Sequence, residues 1–324
     1  MNLYRLLIFI LSVSVVMIST VAEEVYSIGY FPPPLQQIKS GQDPAHVTCT
    51  EGKALVLKKS TGMPACVNFS SVEKLIQRGW AIHILPDYSL GDNNSEIFKT
   101  GSYDTTSKYV NYFKSVSGYL ARPSTDGSFP GVVLIHEWWG LNQNIKDMAN
   151  ILASHGYVVL AVDLYNGNVA TTSDEARKLV SSFDSAQGIQ NMDAAVLYLK
   201  ENYSTEKIGS IGWCFGGGQS LNLALNNDKM DATVIYYGTV TSDVDKLSSI
   251  SWPILGIFAE LDKGITPHSV NGFESALDEL SIPNEIYIYP GVDHAFANPS
   301  GERFAPNATQ DAWQKTLAFL KTNL

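Results

Sequence analysis

The sequence is poor in basic residues and in cysteine. Of its 324 residues, 22 are lysine or arginine and 32 are aspartate or glutamate, so the formal net charge is −10. No basic run offsets this balance, which disfavours nucleic acids and anionic membrane surfaces as partners. There are only three cysteines, an odd number, so the position of each one decides how it is interpreted.

Apolar residues, in contrast, make up 45% of the chain. This content is ample for a large core and excludes wholesale disorder. The length exceeds that of one average domain, and an α/β fold with a small additional module would account for it.

Residues 1–22 have the composition of a secretory signal. A single basic residue, Arg5, precedes an apolar run over residues 6–17, and small residues lead to a polar boundary after Ala22. This order predicts export, with cleavage after Ala22. The alternative is an uncleaved anchor that associates the protein with a membrane, although the run is marginal for spanning about 30 Å of hydrocarbon.

Residues 23–86 predict a small separate module that contains Cys49 and Cys66. The two cysteines flank a predicted hairpin with strands at 54–58 and 65–67. In an exported chain such a pair is most simply a disulfide, because so small a unit has little core of its own. Nearby histidines lack the paired spacing of a zinc site, so no metal is expected here.

Residues 87–107 are rich in Ser, Thr, Asn, Asp and Gly without sustained periodicity, which is typical of a linker. Glycosylation sequons begin at Asn68, Asn93, Asn202 and Asn307. Modification is left open at each of these four sites.

From residue 108 to residue 324 apolar runs alternate with helical patterns. A hairpin is predicted over 109–121, buried strands at 131–135, 157–163, 208–211, 232–237, 254–258 and 285–289, and helices at 141–155, 173–199 (broken near Gly188), 270–280 and 310–320. Such alternation predicts an α/β fold with a mainly parallel sheet covered on both faces.

The most informative stretch is residues 212–216, with the sequence GWCFG. It places Cys214 at the apex of an abrupt turn between a strand and a helix, the pattern of a nucleophile elbow. The flanking glycines would permit close approach of the neighbouring backbone, and the helix dipole would favour a thiolate. The alternatives are a buried apolar cysteine and a phosphate-binding loop. The loop is disfavoured because no Gly-Lys-Ser/Thr follows, so no nucleotide cofactor is expected.

Two further residues occupy the positions at which the acid and the base of a catalytic triad are expected in a fold with a nucleophile elbow. Asp262 follows the strand 254–258, and His294 follows the strand 285–289. The order nucleophile, acid, base is that of α/β-hydrolase folds. Glu260 and Asp293 are neighbouring alternatives to these two positions. The remaining histidines of this region, at 136, 155 and 268, are interpreted as structural.

The chemistry predicted for these residues is nucleophilic. His294 would take the proton of the Cys214 thiol and later protonate the leaving group, while Asp262 would fix the imidazole tautomer. The amide of Phe215 and an amide from the loop after strand 131–135 would bind the oxyanion.

The motifs IHEWWGLN (135–142), DLY (163–165), GWCFGG (212–217) and GVDHAF (291–296) resemble those of the dienelactone hydrolase (carboxymethylenebutenolidase) family over residues 109–324. This resemblance implies an α/β-hydrolase fold, a Cys-His-Asp triad, and hydrolysis of a small ester or lactone without a cofactor. It also implies that Glu137 lies beside the thiol and helps to ionise it, and that the Trp138 amide is the second oxyanion donor. Otherwise Glu137 is a strand-end carboxylate that pairs with a neighbour.

The sequence departs from the family where the substrate carboxylate would bind. The resemblance implies two arginines, at positions that here align with Asn298 and Ser173. Asn298 cannot form the bidentate contact of an arginine, so a less anionic substrate is expected. Arg303 is a candidate substitute, with Arg177 a weaker one. Three aromatic residues, Trp138, Trp139 and Tyr165, would form apolar walls.

Two other functions remain compatible with this pattern. One is a non-catalytic cell-surface binding protein that retains the scaffold, and the other is a thioesterase or peptidase with the same triad. The complete set of Glu137, Cys214, Asp262 and His294 favours an enzyme.

Overall fold

The computed structural model describes residues 32–40, 44, 47, 49–50, 53–68, 71, 74–75, 78–82 and 97–324. The chain forms two compact units, and the boundary between them follows Asp87. The predicted leader and the sequon at Asn93 lie outside the described residues. Within the part that is described, no helix is both long and apolar enough to cross a membrane.

The N-terminal unit contains a short helix and a three-stranded antiparallel sheet of order β2-β1-β3. Its elements are α1 (Pro34–Lys39), β1 (Lys53–Lys58), β2 (Pro64–Asn68) and β3 (Ala81–Ile82). The predicted hairpin is β1 and β2, and Gly62 adopts the positive φ of +66° that its turn requires. Cys49 and Cys66 form a disulfide, as the sequence predicts.

The larger unit is built on an eight-stranded sheet of order β11-β10-β9-β8-β6-β7-β5-β4. Its strands are β4 (Thr105–Phe113), β5 (Val116–Pro123), β6 (Gly131–Ile135), β7 (Val158–Val162), β8 (Ile208–Trp213), β9 (Ala232–Tyr236), β10 (Ile254–Ala259) and β11 (Asn284–Tyr289). Strands β6 to β11 are mutually parallel, and β5 runs antiparallel to both of its neighbours. The mainly parallel sheet of an α/β-hydrolase fold is therefore confirmed.

Helices cover both faces of this sheet. They are α2 (Gln143–Ser154), α3 (Ser173–Ser181), α4 (Ser185–Tyr203), α5 (Phe215–Asn226), α6 (Val244–Leu247), α7 (Pro267–Glu279) and α8 (Pro306–Asn323). One apolar core lies beneath α2 and α8, and the other lies beneath α4, α5 and α7. Strands β6 to β10 are buried at every residue because each contacts both cores, which explains their continuous apolar sequence.

The predicted break near Gly188 is wrong in position. The chain leaves the helical conformation at residues 182–184, and Gly188 lies inside α4. Asp184 begins α4 by accepting hydrogen bonds from two backbone amides of its first turn. A Cβ at Gly188 would lie 2.2 Å from the Phe183 ring, so a larger residue at this position would require that ring to move.

Residues 97–104, which fall in the predicted linker, pack onto the larger unit. Phe98 is only 4% exposed and contacts the Trp313 ring edge-to-face at 5.4 Å. The amides of Gly101 and Tyr103 donate hydrogen bonds to the hydroxyl and carbonyl of Ser154 at the end of α2. These contacts make residues 97–104 part of the larger unit.

We expect Phe98→Ala to destabilise the protein by about 3–5 kcal/mol, because it removes a buried ring from the core. The matched control is Leu197→Ala, which truncates a side chain that is 41% exposed and should cost less than about 1 kcal/mol. Denaturant unfolding monitored by circular dichroism measures both. Equal unfolding midpoints for the two variants would contradict the assigned packing.

Candidate active site

The site is organised by the turn between β8 and α5. Cys214 occupies its apex with φ 56° and ψ −117°, a strained conformation for a residue with a side chain. Its amide donates to the Tyr236 carbonyl at 3.0 Å, and its carbonyl accepts from the Gly218 amide at 3.2 Å. These bonds connect the turn to β9 and to the first turn of α5, so they fix the position of the Cys214 backbone that carries the thiol.

Glycines make this turn sterically possible. A Cβ on Gly212 would lie 2.1 Å from the Gly216 carbonyl oxygen. A Cβ on Gly216 would lie 2.4 Å from the carbonyl oxygen of Ile135. Both contacts are with backbone atoms that cannot move away, which is the physical reason for glycine on either side of Cys214.

Cys214, His294 and Asp262 form a continuous hydrogen-bonded chain. The Cys214 Sγ atom lies 3.1 Å from His294 Nε2, and His294 Nδ1 lies 2.6 Å from Asp262 Oδ2. The other oxygen of Asp262 accepts hydrogen bonds from the amides of Gly264 and Ile265, which fix the carboxylate. The arrangement has the connectivity of a nucleophile, a base and an orienting acid.

The two neighbouring carboxylates have other partners. Glu260 accepts a hydrogen bond from the Gly291 amide at 2.8 Å. Asp293 accepts from the backbone amide of His294 and forms an ion pair with Arg303 at 3.5 Å. Asp262 is thus the carboxylate that contacts the imidazole.

Electrostatics within this chain favour charge separation. Burial raises the pKa of Asp262. Hydrogen bonds from His294 and from the amides of Ile265 and Gly264 outweigh this effect, so the pKa of Asp262 lies below its usual range. Burial lowers the pKa of His294, yet its hydrogen bonds to Asp262 and Cys214 and their charges raise it to about 10. A protonated imidazole facing the sulfur at neutral pH is the consequence.

Glu137 lies two residues after the end of β6 and is almost fully buried. Burial raises its pKa to about 7, against the opposing effects of the positive charge on His294 and a hydrogen bond from Asn298. In that bond the Asn298 side-chain amide donates to Glu137 Oε2 at 2.7 Å. The Asn298 oxygen in turn accepts from the amide and hydroxyl of Ser300, so both ends of the Asn298 side chain are engaged.

His136 holds the loop that carries Glu137. Its Nε2 accepts a hydrogen bond from the Leu164 amide at 3.1 Å, so Nδ1 carries the proton and donates to the Glu137 carbonyl at 2.6 Å. Complete burial lowers the pKa of His136, which is consistent with this neutral tautomer. From the sequence, His136 is predicted only to have a structural role. Its position beside Glu137 was the one available signal.

The two amides predicted to bind an oxyanion are available for that purpose. Phe215 is the first residue of α5, where a helix leaves its N–H groups without internal acceptors. Within the described residues, neither its amide nor that of Trp138 donates to a carbonyl or a side chain.

A cleft of about 510 Å³ opens onto the thiol. It is lined by Glu137, Trp138, Trp139, Ser173, Cys214, His294, Ala295, Asn298, Gly301, Glu302 and Arg303. Of the residues predicted to contact the substrate, Trp138, Trp139, Asn298 and Arg303 therefore lie on this cleft.

Two residues considered for substrate binding lie elsewhere. Tyr165 does not line the cleft, because it is buried against the rings of His136 and Phe215. Arg177 pairs with Asp174 on the exposed surface of α3. Within the described residues, no group of three or more His, Cys, Asp or Glu side chains is arranged to hold a metal ion.

We expect Gly216→Ala to destabilise the protein by about 3 kcal/mol or more, because its Cβ would collide with the β6 backbone. Gly218→Ala is the matched control in the same helix. Its Cβ would meet no atom closer than 3.4 Å, and the change should alter stability by less than about 1 kcal/mol. Thermal unfolding of both variants tests the difference, and a Gly216→Ala protein as stable as the control would refute the steric account.

Comparison with known proteins identifies the family. The model of the dienelactone hydrolase family matches residues 116–324. Over 221 residues the chain is 36% identical to "Protein usf" of Aquifex pyrophilus and 32% identical to the "Putative carboxymethylenebutenolidase" of Aquifex aeolicus, each match covering 64% of this chain and 94% of the relative. The crystal structure of a "Putative Dienelactone Hydrolase" from Klebsiella pneumoniae superposes with a TM-score of 0.63 and 25% identity, covering 67% of this chain and 99% of the other. The chain therefore belongs to the dienelactone hydrolase family and is a hydrolase with the α/β-hydrolase fold.

Proposed function

We propose that the protein is an exported, thiol-dependent hydrolase that cleaves a small carboxylic ester or lactone through a covalent acyl-enzyme. The observation that carries this proposal is the chain of contacts from Cys214 through His294 to Asp262, with separations of 3.1 Å and 2.6 Å. Such a chain activates a nucleophile and returns a proton to the leaving group.

In the first half-reaction the Cys214 sulfur attacks the ester carbonyl carbon. A sulfur–carbon bond forms while the carbonyl π electrons move to oxygen, and the amides of Phe215 and Trp138 stabilise that oxyanion. When the intermediate collapses, the bond to the alkoxide breaks and His294 donates its proton to the leaving oxygen. The raised pKa of His294 supports this role, since the imidazolium is present at neutral pH.

In the second half-reaction water replaces the sulfur. His294, now neutral, takes a proton from the attacking water, and a second oxyanion forms at the same amides. Collapse breaks the sulfur–carbon bond, releases the carboxylic acid and regenerates the thiolate–imidazolium pair. Asp262 remains ionised throughout and stabilises the imidazolium.

Glu137 supplies a second proton acceptor near the sulfur. A carboxyl group with a pKa of about 7 exchanges protons readily at neutral pH. Its position on the cleft beside Cys214 supports the role that the family resemblance implies, which is assistance in ionising the thiol when substrate binds.

The charge of the cleft favours a substrate with little negative charge on its acyl part. Asn298 stands where the family resemblance implies an arginine, and its amide is already bound to Glu137. Arg303 lines the cleft, but its charge is compensated by Asp293. A dianionic lactone would therefore lack a bidentate cationic partner.

Export is part of the same proposal. The disulfide between Cys49 and Cys66 supports it, because disulfides persist mainly in oxidising compartments. The leader-like composition of residues 1–22 points the same way.

We expect Cys214→Ala to lower kcat/KM for a thioester or aryl ester by about 10⁴-fold or more, because removal of the nucleophile leaves only binding and oxyanion stabilisation. Steady-state kinetics measures the loss, and circular dichroism establishes that the fold is retained. A folded variant with unchanged activity would exclude the proposed mechanism.

We expect the wild-type enzyme to hydrolyse neutral aryl esters with a higher kcat/KM than dienelactone. Asn298→Arg should shift this ratio toward the anionic substrate by about tenfold or more, because it introduces a fork of donors for a carboxylate. Asn298→Gln is the matched control, with a longer side chain and no charge. Strong preference of the wild type for the dianionic lactone would overturn the proposed specificity.

A further inference from the structure

A small second cavity lies beside Glu137. Its volume is about 10 Å³, which is room for one water molecule. Four polar residues, Glu137, Asn144, Tyr237 and Asn298, contribute to its lining, and the other lining residues are mostly apolar. One of these is Phe98, from the segment that precedes the region matched by the family model.

Tyr237, one of the residues that line this cavity, has a hydroxyl proton without an acceptor among the described residues. The residue is completely buried, and within the described residues no acceptor receives its hydroxyl proton, although the Ala297 amide interacts with the hydroxyl oxygen. Buried hydroxyl groups are nearly always paired with protein or with ordered water, so a lone one calls for a partner. The backbone of Tyr237 also has a φ of 34°, a strained value for a bulky residue.

The position of Tyr237 is fixed by a backbone hydrogen bond to β10 and by ring contacts with His294 and Phe296. It follows β9 directly, and its amide donates to the Ile257 carbonyl at 2.7 Å. Its ring packs against the rings of His294 and Phe296, with centroid distances of 5.2 and 5.7 Å. Tyr237 therefore lines the cavity together with Glu137, while its ring packs against the imidazole of His294.

We propose that this cavity is a binding site for one ordered water molecule, which accepts the proton of the Tyr237 hydroxyl and donates a hydrogen bond to the Glu137 carboxylate. A water site needs two to four polar partners, and the lining of the cavity supplies them. Tyr237 is then a positioning residue that acts on Glu137 through the water. Only the consequence for turnover depends on the proposed function, since the site itself is a property of the fold.

The site has a defined electrostatic effect. Donation from water stabilises the ionised form of Glu137 and opposes the burial that raises its pKa to about 7. The titratable groups around Glu137 are His294, Cys214, Tyr237 and the neutral His136. Burial first, and then the negative charges of Glu137 and Cys214, raise the pKa of Tyr237 well above its usual value, while the Ala297 amide opposes them. The phenol therefore stays a donor while Glu137 titrates.

The test is an NMR titration of Glu137 in the full chain, labelled with ¹³C at the glutamate carboxyl carbon and assigned by the signal that disappears in Glu137→Gln. In Tyr237→Phe we expect the pKa of Glu137 to rise by about one unit, because the donor that orders the water is lost. Tyr236→Phe is the matched control. It removes an adjacent buried hydroxyl that is bonded to Thr316 instead, and should leave the pKa of Glu137 unchanged.

An unchanged pKa of Glu137 in Tyr237→Phe, or an equal rise in Tyr236→Phe, would overturn the proposal. A high-resolution crystal structure of the wild type provides a second readout, and an empty cavity with the Tyr237 hydroxyl unpaired would also overturn it. Neither measurement requires turnover, so both remain decisive if Cys214→Ala shows that the proposed chemistry is wrong.

Discussion

The structure depends on the close approach of backbone to backbone at the turn that carries Cys214. Gly212 and Gly216 allow the first turn of α5 to lie against the ends of β8 and β6 at distances that exclude any side chain. That approach lifts the sulfur out of the sheet and places it 3.1 Å from His294. The imidazole comes from a loop eighty residues further along the chain, so the sheet must align two strand ends before the pair can form.

Much of this arrangement could be predicted because it is local or follows from the direction of the strands. The apolar run of β6 was predicted at its observed bounds, since a strand buried on both faces has no polar positions. Asp262 and His294 were found because the carboxyl ends of parallel strands meet at one edge of the sheet. The resemblance to a known family is what predicts a role for Glu137 beside the thiol, because spacing alone predicts a structural carboxylate at this position.

The remaining features arise from contacts between distant parts of the chain. The bond from Asn298 to Glu137 joins residues 161 positions apart, and no local pattern encodes it. The helix break was predicted at the wrong position because glycine usually weakens a helix. Gly188 instead lies inside α4, where its lack of a side chain leaves space for the Phe183 ring. Residues 97–104 are polar enough to resemble a linker, yet Ile97 and Phe98 are buried in the core and two backbone amides of the segment bind Ser154.

The position of Phe98 has a consequence for how this protein differs from a minimal member of its family. The region shared with the family model begins at residue 116, after β4 and after the segment that covers Trp313. A polypeptide reduced to that shared region would lose β4, at one edge of the sheet, and Phe98, one of the residues that line the cavity beside Glu137. Residues outside the region matched by the family model thus form part of the wall around a buried carboxyl group, so the boundary of the matched region does not coincide with the boundary of the packed unit.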